Sequence, residues 1–309
     1  MTKKLLLLFT LGVCSYIHGE RFLVFGGKTG WVGQLLIAEL TKQGHEAIAA
    51  QSRLEERHDI TQEIKQIKPD VIINAAGITG RPNVDWCETH KDETMRANLW
   101  GPLNLASVAD ALGIYLVNIS TGCIYKYDDA HPLGSGIGFT EEDVPNFTGS
   151  FYSKCKVALE EFIVSYPNVL HLRLRMPISD TLTERAFIGK VRKYKQLVNI
   201  PNSMAVIDDV IPAVITLARD RSTGIYNLVN PGTISHDEIM SLYREYIDPA
   251  HTYSIVSEEE INKALKAPRS NCELDARKLL TKCPEIPHIK ESIVKVFQRM
   301  RARKLAGTL

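Results

Sequence analysis

Hydrophobic and polar positions follow two alternating patterns along the first half of the chain. Short, mainly apolar runs predict buried strands at residues 22–25, 47–50, 71–75, 115–119 and 169–174. Between them, stretches in which apolar residues recur every three or four positions predict helices, among them residues 31–42, 60–67 and 93–112. This alternation predicts an α/β fold with a doubly wound parallel sheet, and a ligand at the carboxyl ends of its strands.

The second half has a different pattern from about Pro177 onward. Pro, Asn and Asp become frequent, capping boxes begin helices at Ser235 and Ser257, and residues 290–304 predict a basic amphipathic helix. We therefore divide the chain into an N-terminal extension or signal peptide (1–19), a cofactor-binding domain (20–176) and a smaller, mixed substrate-binding part (177–309). Two apolar runs of the last part, 206–217 and 225–229, are expected to return to the main sheet.

Composition and charge exclude several classes of protein. The 309 residues are 44% apolar and 24% charged, as in ordinary soluble globular proteins. The formal net charge of +1 argues against nucleic acid as the main partner, because phosphate binding usually requires a basic bias. The six cysteines form no zinc-binding spacing, so we predict no metal site and a reducing compartment.

The first residues bear on localisation. An apolar stretch at residues 5–14 is too short to span a bilayer but has the length of a signal-peptide core. Two points weigh against export: the glycosylation sequons at Asn118 and Asn146 lie beside candidate catalytic residues, and an oxidising lumen would endanger a reactive Cys123. We expect a cytoplasmic protein without membrane attachment, with the secretory pathway as the alternative.

A glycine-rich turn follows the first predicted strand and opens the first helix. Gly27, Gly30 and Gly33 have the Gly-x-x-Gly-x-x-Gly spacing of the extended short-chain dehydrogenases. Because they lack side chains, the backbone can turn tightly and approach a pyrophosphate at the helix N-terminus. The motif predicts a Rossmann-type dinucleotide site. The residues within the turn that are also expected to contact the cofactor are Lys28, Trp31 and Val32.

The end of the second strand favours NADPH over NADH. An NAD-binding protein usually places Asp or Glu there for the ribose hydroxyls, but this chain has Gln51-Ser52-Arg53. Arg53 can pair with a 2′-phosphate, assisted by Ser52 and Lys28. In the alternative interpretation, Arg53 is only a solvated loop charge.

Further residues are expected to line the cofactor. The segment with Asp59 and Ile60 lies where this fold usually contacts the adenine, and small residues at the end of the third strand let the cofactor lie against the backbone. Asn98 is expected to bridge the central strands through hydrogen bonds, with a structural role as the alternative. The small residues are Ala75, Ala76 and Gly77.

Three polar residues together can polarise a ketone. Tyr152 and Lys156 form a Tyr-x-x-x-Lys pair, one turn apart on one helix face, and Thr121 ends a buried strand. Tyr152 is predicted to donate to the carbonyl oxygen, while Lys156 lowers the pKa of the phenol and holds the nicotinamide ribose. Thr121 supplies a second hydrogen bond to the same oxygen.

Cys123 adds a thiol to this predicted site. It follows Thr121 by two residues and is expected on the same face of the extended chain. A thiol beside a polarised ketone suggests proton transfer at the neighbouring carbon, because the groups that polarise the carbonyl also stabilise the enolate. The alternative is that Cys123 is a small buried hydrophobe.

Long motifs outside these positions carry a family resemblance. Thr-Gly-Arg-Pro-Asn-Val-Asp-Trp-Cys-Glu stands at residues 79–88, and Thr-Gly-Cys-Ile at 121–124. Further motifs lie at 131–139, 146–154, 175–179, 199–204 and 267–271. Together they resemble the nucleotide-rhamnose synthase epimerase/reductase of plants, and the likeness extends from Arg21 to about Val296.

The resemblance implies a bifunctional 3,5-epimerase/4-ketoreductase that makes UDP-β-L-rhamnose from UDP-4-keto-6-deoxy-D-glucose, or the dTDP forms, with NADPH. Related GDP-fucose synthases use a cysteine matching Cys123 as one acid/base. Lys190 aligns with the lysine that takes the second role in plant-type enzymes, although a plain surface lysine is the alternative. The candidate nucleotide-sugar contacts are Arg81, Asn83, Asn202 and Arg269. A separate nucleotide-glucose 4,6-dehydratase would supply the substrate, and a homodimer is the oligomer to consider.

Two other functions stay open at this point. One is a reductase alone, like dTDP-4-dehydrorhamnose reductase, which receives an already epimerised sugar; Cys123 and a proton partner across the pocket distinguish the two. The other is a non-catalytic NADPH-binding regulatory subunit, which would have no need to keep Thr121, Tyr152 and Lys156 together.

Overall fold

A parallel six-stranded sheet forms the centre of the molecule, in a computed structural model that describes residues 19–309. The strands in chain order are β1 (Arg21–Phe25), β2 (Glu46–Ala49), β3 (Val71–Asn74), β4 (Tyr115–Thr121), β5 (Val169–Leu174), β6 (Pro177–Ile178), β7 (Gln196–Leu197), β8 (Ala205–Val206), β9 (Gly224–Leu228) and β10 (Ser254–Ile255). The central sheet has the order β2-β1-β3-β4-β5-β9, and the short strands form two parallel pairs, β6 with β8 and β7 with β10. The predicted α/β fold class is confirmed.

Helices cover both faces of this sheet. They are α1 (Trp31–Lys42), α2 (Arg57–Ile67), α3 (Lys91–Met95), α4 (Gly101–Ala111), α5 (Phe151–Ile163), α6 (Phe187–Val191), α7 (Ile207–Arg219), α8 (His236–Tyr246), α9 (Glu258–Ala264), α10 (Arg277–Leu280) and α11 (Ile289–Leu305). Alternate residues of β1 show the layering: Phe22 and Val24 pack with α1 and α7, whereas Leu23 and Phe25 pack with α2, α4 and α5. Burial on both faces explains why the strands read as continuous apolar runs.

The strand order reverses at β1, which pairs with β2 on one side and β3 on the other. In doubly wound sheets, ligands bind at such a switch point, outside the carboxyl ends of the strands. The glycine-rich turn between β1 and α1 lies at this position, so the topology directs the cofactor to the turn that the sequence indicates.

The C-terminal part both joins the main sheet and forms a core of its own. Residues 224–228 return to the sheet as β9 beside β5, as expected for the run at 225–229. The run at 206–217 instead forms helix α7, which packs on the sheet through residues such as Val210 and Val214. A separate apolar cluster joins α8 to α11 around Met240 and Phe297. The domain division at residue 177 stays a prediction.

The N-terminal segment that resembles a signal peptide lies outside the described residues, apart from Gly19. Across residues 19–309, no helix is both long enough and apolar enough to cross a membrane.

Candidate active site

The glycine positions of the glycine-rich turn leave no room for a Cβ. Gly26 has a φ of +81°, and a Cβ on Gly33 or Gly30 would lie 2.4 or 2.5 Å from the carbonyl oxygen of Gly26. Helix α1 begins at Trp31, and among residues 19–309 no side chain caps its N-terminus. Its first N–H groups can therefore bind an anion, so the turn fits a dinucleotide pyrophosphate. Within this segment Lys28 donates to the Gln51 side chain, at 2.9 Å.

Trp31 and Val32 are partly buried and pack against the apolar cluster beneath the turn. They position the start of α1 rather than extend freely toward a ligand. Arg185, in the C-terminal part, reaches the same turn, where its Nη1 donates to the carbonyl oxygen of Thr29 at 2.5 Å. Sequence reasoning missed Arg185 because it lies more than 150 residues away along the chain.

The segment after β2 has no carboxylate of its own, but the side chain of Glu63 from α2 lies there. The Glu63 carboxylate accepts hydrogen bonds from the backbone N–H of Gln51 at 2.7 Å and of Ser52 at 2.9 Å. It also accepts from the Ser52 hydroxyl, at 2.5 Å. Arg53 is exposed, with its Nε 3.6 Å from the Glu55 carboxylate. A 2′-phosphate that binds Ser52 would therefore have to replace Glu63.

The expected adenine contact at Asp59 and Ile60 falls on α2. Ile60 is fully buried in the apolar cluster between α2 and the sheet, so its side chain serves the core. Asp59 lies in the first turn of the helix and is exposed. The helical start of α2 at Arg57 places the two side chains on different sides of the backbone, which the motif alone did not reveal.

The end of β3 packs against the glycine-rich turn. A Cβ on Gly26 would lie 2.8 Å from the backbone of Ala75 and Ala76. A Cβ on Gly77 would lie 3.8 Å from Nζ of Lys156 and 3.1 Å from Oδ1 of Asn98. The small residues after β3 thus let both the glycine-rich turn and helix α5 approach the backbone there.

Asn98 holds the loop after β3 instead of bridging the central strands. Its Oδ1 accepts from the N–H of Ile78 at 3.2 Å, and its Nδ2 donates to the carbonyl of Ile78 at 2.8 Å. It lies in a π-helical turn, Arg96–Trp100, a feature that often marks functional sites. The strand-bridging role belongs to Asn74, whose Nδ2 donates to Oδ1 of Asn118 at 2.8 Å.

Thr121, Tyr152 and Lys156 meet at the carboxyl end of β4. Thr121 is the last residue of β4, and the other two lie one turn apart on α5. They are 5%, 7% and 4% exposed, so each presents its polar group from a buried position. The N-terminus of α5 is well anchored, because Ser150 accepts from the N–H of Ser153 at 3.0 Å and serves as the N-cap.

The protonation states differ from the sequence expectation. Burial raises the pKa of Tyr152, nearby Cys123 raises it further, and a hydrogen bond with Thr121 acts in the opposite direction. We expected Lys156 to lower the pKa of the phenol, but in this structure that pKa is raised. Burial instead lowers the pKa of Lys156 itself, to about 8. Tyr152 is a protonated hydrogen-bond donor, and Lys156 is mostly charged at neutral pH.

Cys123 lies beside these groups and is tied to both supporting elements. Its N–H donates to Oγ1 of Thr121 at 3.1 Å, and its carbonyl accepts from the Ser153 hydroxyl of α5 at 2.7 Å. The sulfur lies 3.2 Å from Nη1 of Arg175. Cys123 is partly exposed, whereas the other cysteines that the structure describes are buried. Its surroundings are thus polar and accessible, unlike those of a core cysteine.

Lys190, on α6, lies close to Arg81. Burial lowers the pKa of Lys190, and the positive charge of Arg81 lowers it further. A lysine with a lowered pKa can release a proton more readily than an exposed one, which suits an acid/base. Arg81 itself is exposed.

The remaining substrate candidates are engaged with other protein groups. Nη1 of Arg269 forms an ion pair with Asp85 at 2.7 Å, with the two side chains 28% and 18% exposed. Asn83 accepts from the N–H of Asp85 at 2.9 Å and caps the 3-10 turn Val84–Glu88. Asn202 is fully buried and accepts from Arg175 at 2.5 Å, so its amide supports Arg175 rather than facing a ligand.

Comparisons with known proteins agree with one another. The model of the family described as RmlD substrate binding domain matches residues 20–302. The chain is 53% identical, over 90% of its length and 92% of the relative's, to the bifunctional dTDP-4-dehydrorhamnose 3,5-epimerase/dTDP-4-dehydrorhamnose reductase of Arabidopsis thaliana.

Two further similarities differ in coverage. The chain is 51% identical to a trifunctional UDP-glucose 4,6-dehydratase/UDP-4-keto-6-deoxy-D-glucose 3,5-epimerase/UDP-4-keto-L-rhamnose-reductase of the same plant; the match covers 89% of the chain but 41% of the relative. The structure is similar to the crystal structure of a UDP-rhamnose synthase of Acanthamoeba polyphaga mimivirus, with a TM-score of 0.86, 37% identity, and 92% and 99% of the two chains covered.

Proposed function

The chain belongs to the RmlD substrate binding domain family, and from this membership we propose that it is a bifunctional 3,5-epimerase/4-ketoreductase. It converts a UDP- or dTDP-linked 4-keto-6-deoxy-D-glucose to the β-L-rhamnose nucleotide with NADPH. One observation carries the proposal: two hydroxyl donors, a buried lysine and a partly exposed thiol converge at the carboxyl end of β4. Relatives whose names state these activities match nearly the whole chain.

The hydroxyls of Tyr152 and Thr121 bind the C4 carbonyl oxygen of the sugar. Because burial raises the pKa of Tyr152, the phenol is protonated and can donate to this oxygen. Charge that develops on the oxygen is then stabilised by two hydrogen bonds in a site from which water is largely excluded. The same arrangement serves an enolate and an alkoxide.

Epimerisation uses the enolate. A base removes the proton from carbon 3 or carbon 5, and the electrons of the broken C–H bond pass to the C4 oxygen, which Tyr152 and Thr121 hold. An acid on the other face then gives its proton to the same carbon, and the ketone re-forms with inverted configuration. Cys123 supplies one of these groups and Lys190 the other; the lowered pKa of Lys190 supports its part.

Reduction follows at the same oxygen. When bound, NADPH supplies the hydride for carbon 4. Tyr152 gives its proton to the oxygen, and the charge of Lys156 stabilises the phenolate that is left. The glycine-rich turn and the N-terminus of α1 would hold the pyrophosphate, and Ser52, Arg53 and Lys28 would bind the 2′-phosphate if it displaced Glu63 from Ser52.

A nucleotide-glucose 4,6-dehydratase activity would supply the 4-keto sugar. The trifunctional relative carries that activity in its name, and this chain matches 41% of its length. The homodimer stays a prediction.

The decisive experiment follows isotope exchange by NMR, with UDP-4-keto-6-deoxy-D-glucose in deuterated water. Without NADPH, deuterium should enter carbons 3 and 5; after NADPH is added, the rhamnose nucleotide should form. Tyr152→Phe should slow both stages about 100-fold or more, because both need the oxygen to be bound. A protein that reduces a pre-epimerised ketone without any exchange would be a reductase alone. Normal exchange and reduction in Tyr152→Phe would contradict the shared binding of the oxygen.

A further inference from the structure

The carboxylate of Glu63 lies where a dinucleotide-binding fold usually contacts the adenosine ribose, just beyond the second strand. Oε1 accepts from the N–H of Gln51 at 2.7 Å, and Oε2 accepts from the N–H of Ser52 at 2.9 Å and from its hydroxyl at 2.5 Å. All three donors belong to the segment directly after β2, whereas Glu63 lies on α2. The fold thus supplies from a helix the carboxylate that the end of the strand lacks.

The three donors that bind Glu63 would otherwise form an anion-binding site. Successive backbone N–H groups in a turn are well suited to bind a phosphate, and a serine hydroxyl adds a third donor. Lys28 of the glycine-rich turn lies beside them and donates to the Gln51 side chain at 2.9 Å. Arg53 follows directly in the chain and is exposed. Without the carboxylate, this group of donors and cations would suit the 2′-phosphate of NADPH.

NADPH and NADH make opposite demands on this carboxylate. A phosphate monoester carries about two negative charges at neutral pH, so it repels a carboxylate on the same donors and has to displace it. A ribose 2′-hydroxyl can instead donate a hydrogen bond, and an ionised carboxylate has about four acceptor positions. Donors from the described residues use three of these positions. Glu63 can therefore accept a ribose hydroxyl without leaving Ser52.

We propose that Glu63 is a specificity-determining residue, an internal competitor of the 2′-phosphate that weakens the binding of NADPH relative to NADH. The inference rests on the dinucleotide site of the proposed function and specifies how that site discriminates between cofactors. Specificity depends on repulsive elements as well as attractive ones. The preference for NADPH that Ser52 and Arg53 provide is therefore reduced by a residue of the following helix.

Cofactor binding in the absence of the sugar tests the inference, by isothermal titration calorimetry with NADPH and with NADH. Glu63→Ala frees the three donors, so the dissociation constant for NADPH should fall about tenfold, which corresponds to one charge-assisted hydrogen bond gained. The dissociation constant for NADH should rise about threefold, because an acceptor for the ribose is lost. Unchanged or weaker binding of NADPH in Glu63→Ala would overturn the proposal.

A second variant separates the charge of Glu63 from its size. Glu63→Gln keeps the shape but replaces one acceptor oxygen by an NH2 group, so the affinity for NADPH should still rise, by about threefold. The matched control is Glu56→Gln, which removes the same charge from an exposed residue whose side chain does not cap α2. It should leave both dissociation constants within about twofold, because solvent screens an exposed charge. An equal gain in NADPH affinity in Glu56→Gln would contradict a specific role of Glu63.

The two proposals can fail separately. If the wild type binds neither NADPH nor NADH, the dinucleotide site and the role of Glu63 are both overturned. If both cofactors bind and their ratio of dissociation constants is the same in wild type and Glu63→Ala, the site stands and the role of Glu63 is overturned. A shifted ratio without deuterium exchange at the sugar carbons would overturn the epimerase and leave the role of Glu63 intact.

Discussion

Arg173 and Arg175 lie two residues apart at the same end of the sheet, and both are buried, yet their partners differ. Arg173 makes a two-point ion pair with Glu160 of α5, with Nε at 2.9 Å and Nη2 at 2.7 Å from the carboxylate oxygens. Arg175 contacts neutral oxygens and one sulfur. One arginine has its counter-charge built into the fold, and the other has a group that can gain or lose a proton.

The difference separates a structural role from a chemical one. The Arg173–Glu160 pair joins β5 to α5, the helix that carries Tyr152 and Lys156, and so fixes that helix against the sheet. This ion pair suits the task because its charges do not change near neutral pH. Arg175 faces a titratable neighbour, which suits a site where a proton must move.

The largest effect on stability should come from Arg173→Met. The substitution leaves the Glu160 carboxylate buried without its guanidinium partner and with only the His171 ring nearby, so we expect a loss of about 3–5 kcal/mol in the free energy of unfolding at pH 7, measured by urea denaturation. Arg175→Met should cost clearly less, because no carboxylate is orphaned and an uncompensated charge is removed. Equal losses in the two variants would contradict the distinction between the two arginines.

The pH dependence of stability should follow Glu160. Burial alone would raise the pKa of this carboxyl, but the hydrogen-bonded Arg173 guanidinium and the His171 ring, whose Nε2 lies 3.3 Å from the carboxylate, outweigh it and lower the pKa to about 2. Because the folded value lies below the unfolded one, the stabilisation is present above about pH 4.5 and is lost as the pH falls toward 2. It amounts to about 3 kcal/mol. Glu160→Gln should lose it at pH 7 and show a flatter stability curve over this acid range in urea titrations.

The smallest effect should come from Cys123→Ser. The side chain is partly exposed, and the remaining partners of Arg175 stay in place, so we expect a change of less than about 1 kcal/mol in the free energy of unfolding. The same variant should nevertheless lose deuterium exchange at one or both sugar carbons. Instability comparable to that of Glu160→Gln would mean that Cys123 is a structural residue.

The fold could be predicted where the pattern is local. The predicted strand at 169–174 and helix at 31–42 match β5 and α1, because alternating apolar positions and bounding glycines act within a few residues. The predicted helix at 93–112 is interrupted by the π-helical turn Arg96–Trp100. The sequence does not reveal this interruption, because a single such turn barely changes the spacing of apolar positions. The run at 206–217 is ambiguous for a different reason: it is rich in Val and Ile, which favour strands, although it forms a helix.

The candidate site divides in the same way. Thr121, Tyr152 and Lys156 belong to short motifs, so the sequence alone predicts that they lie together, as they do in the structure. Glu63, Arg175 and Asp85 were not, because each acts through a partner 12, 52 or 184 residues away along the chain. The tertiary fold brings these pairs together, and no periodicity of the sequence records such a contact. The pKa of Tyr152 was misjudged for a related reason, since burial depends on the whole packed molecule.

The hydroxyl of Ser153 donates to the carbonyl of Cys123, which joins the loop after β4 to helix α5. This hydrogen bond links the segment that carries the sulfur of Cys123 to the helix that carries the phenol of Tyr152. A displacement of the helix therefore moves both groups together. Under the proposed function, this link would keep the distance between the group that exchanges a proton with the sugar carbon and the group that binds its oxygen nearly constant while the nucleotide sugar enters and leaves.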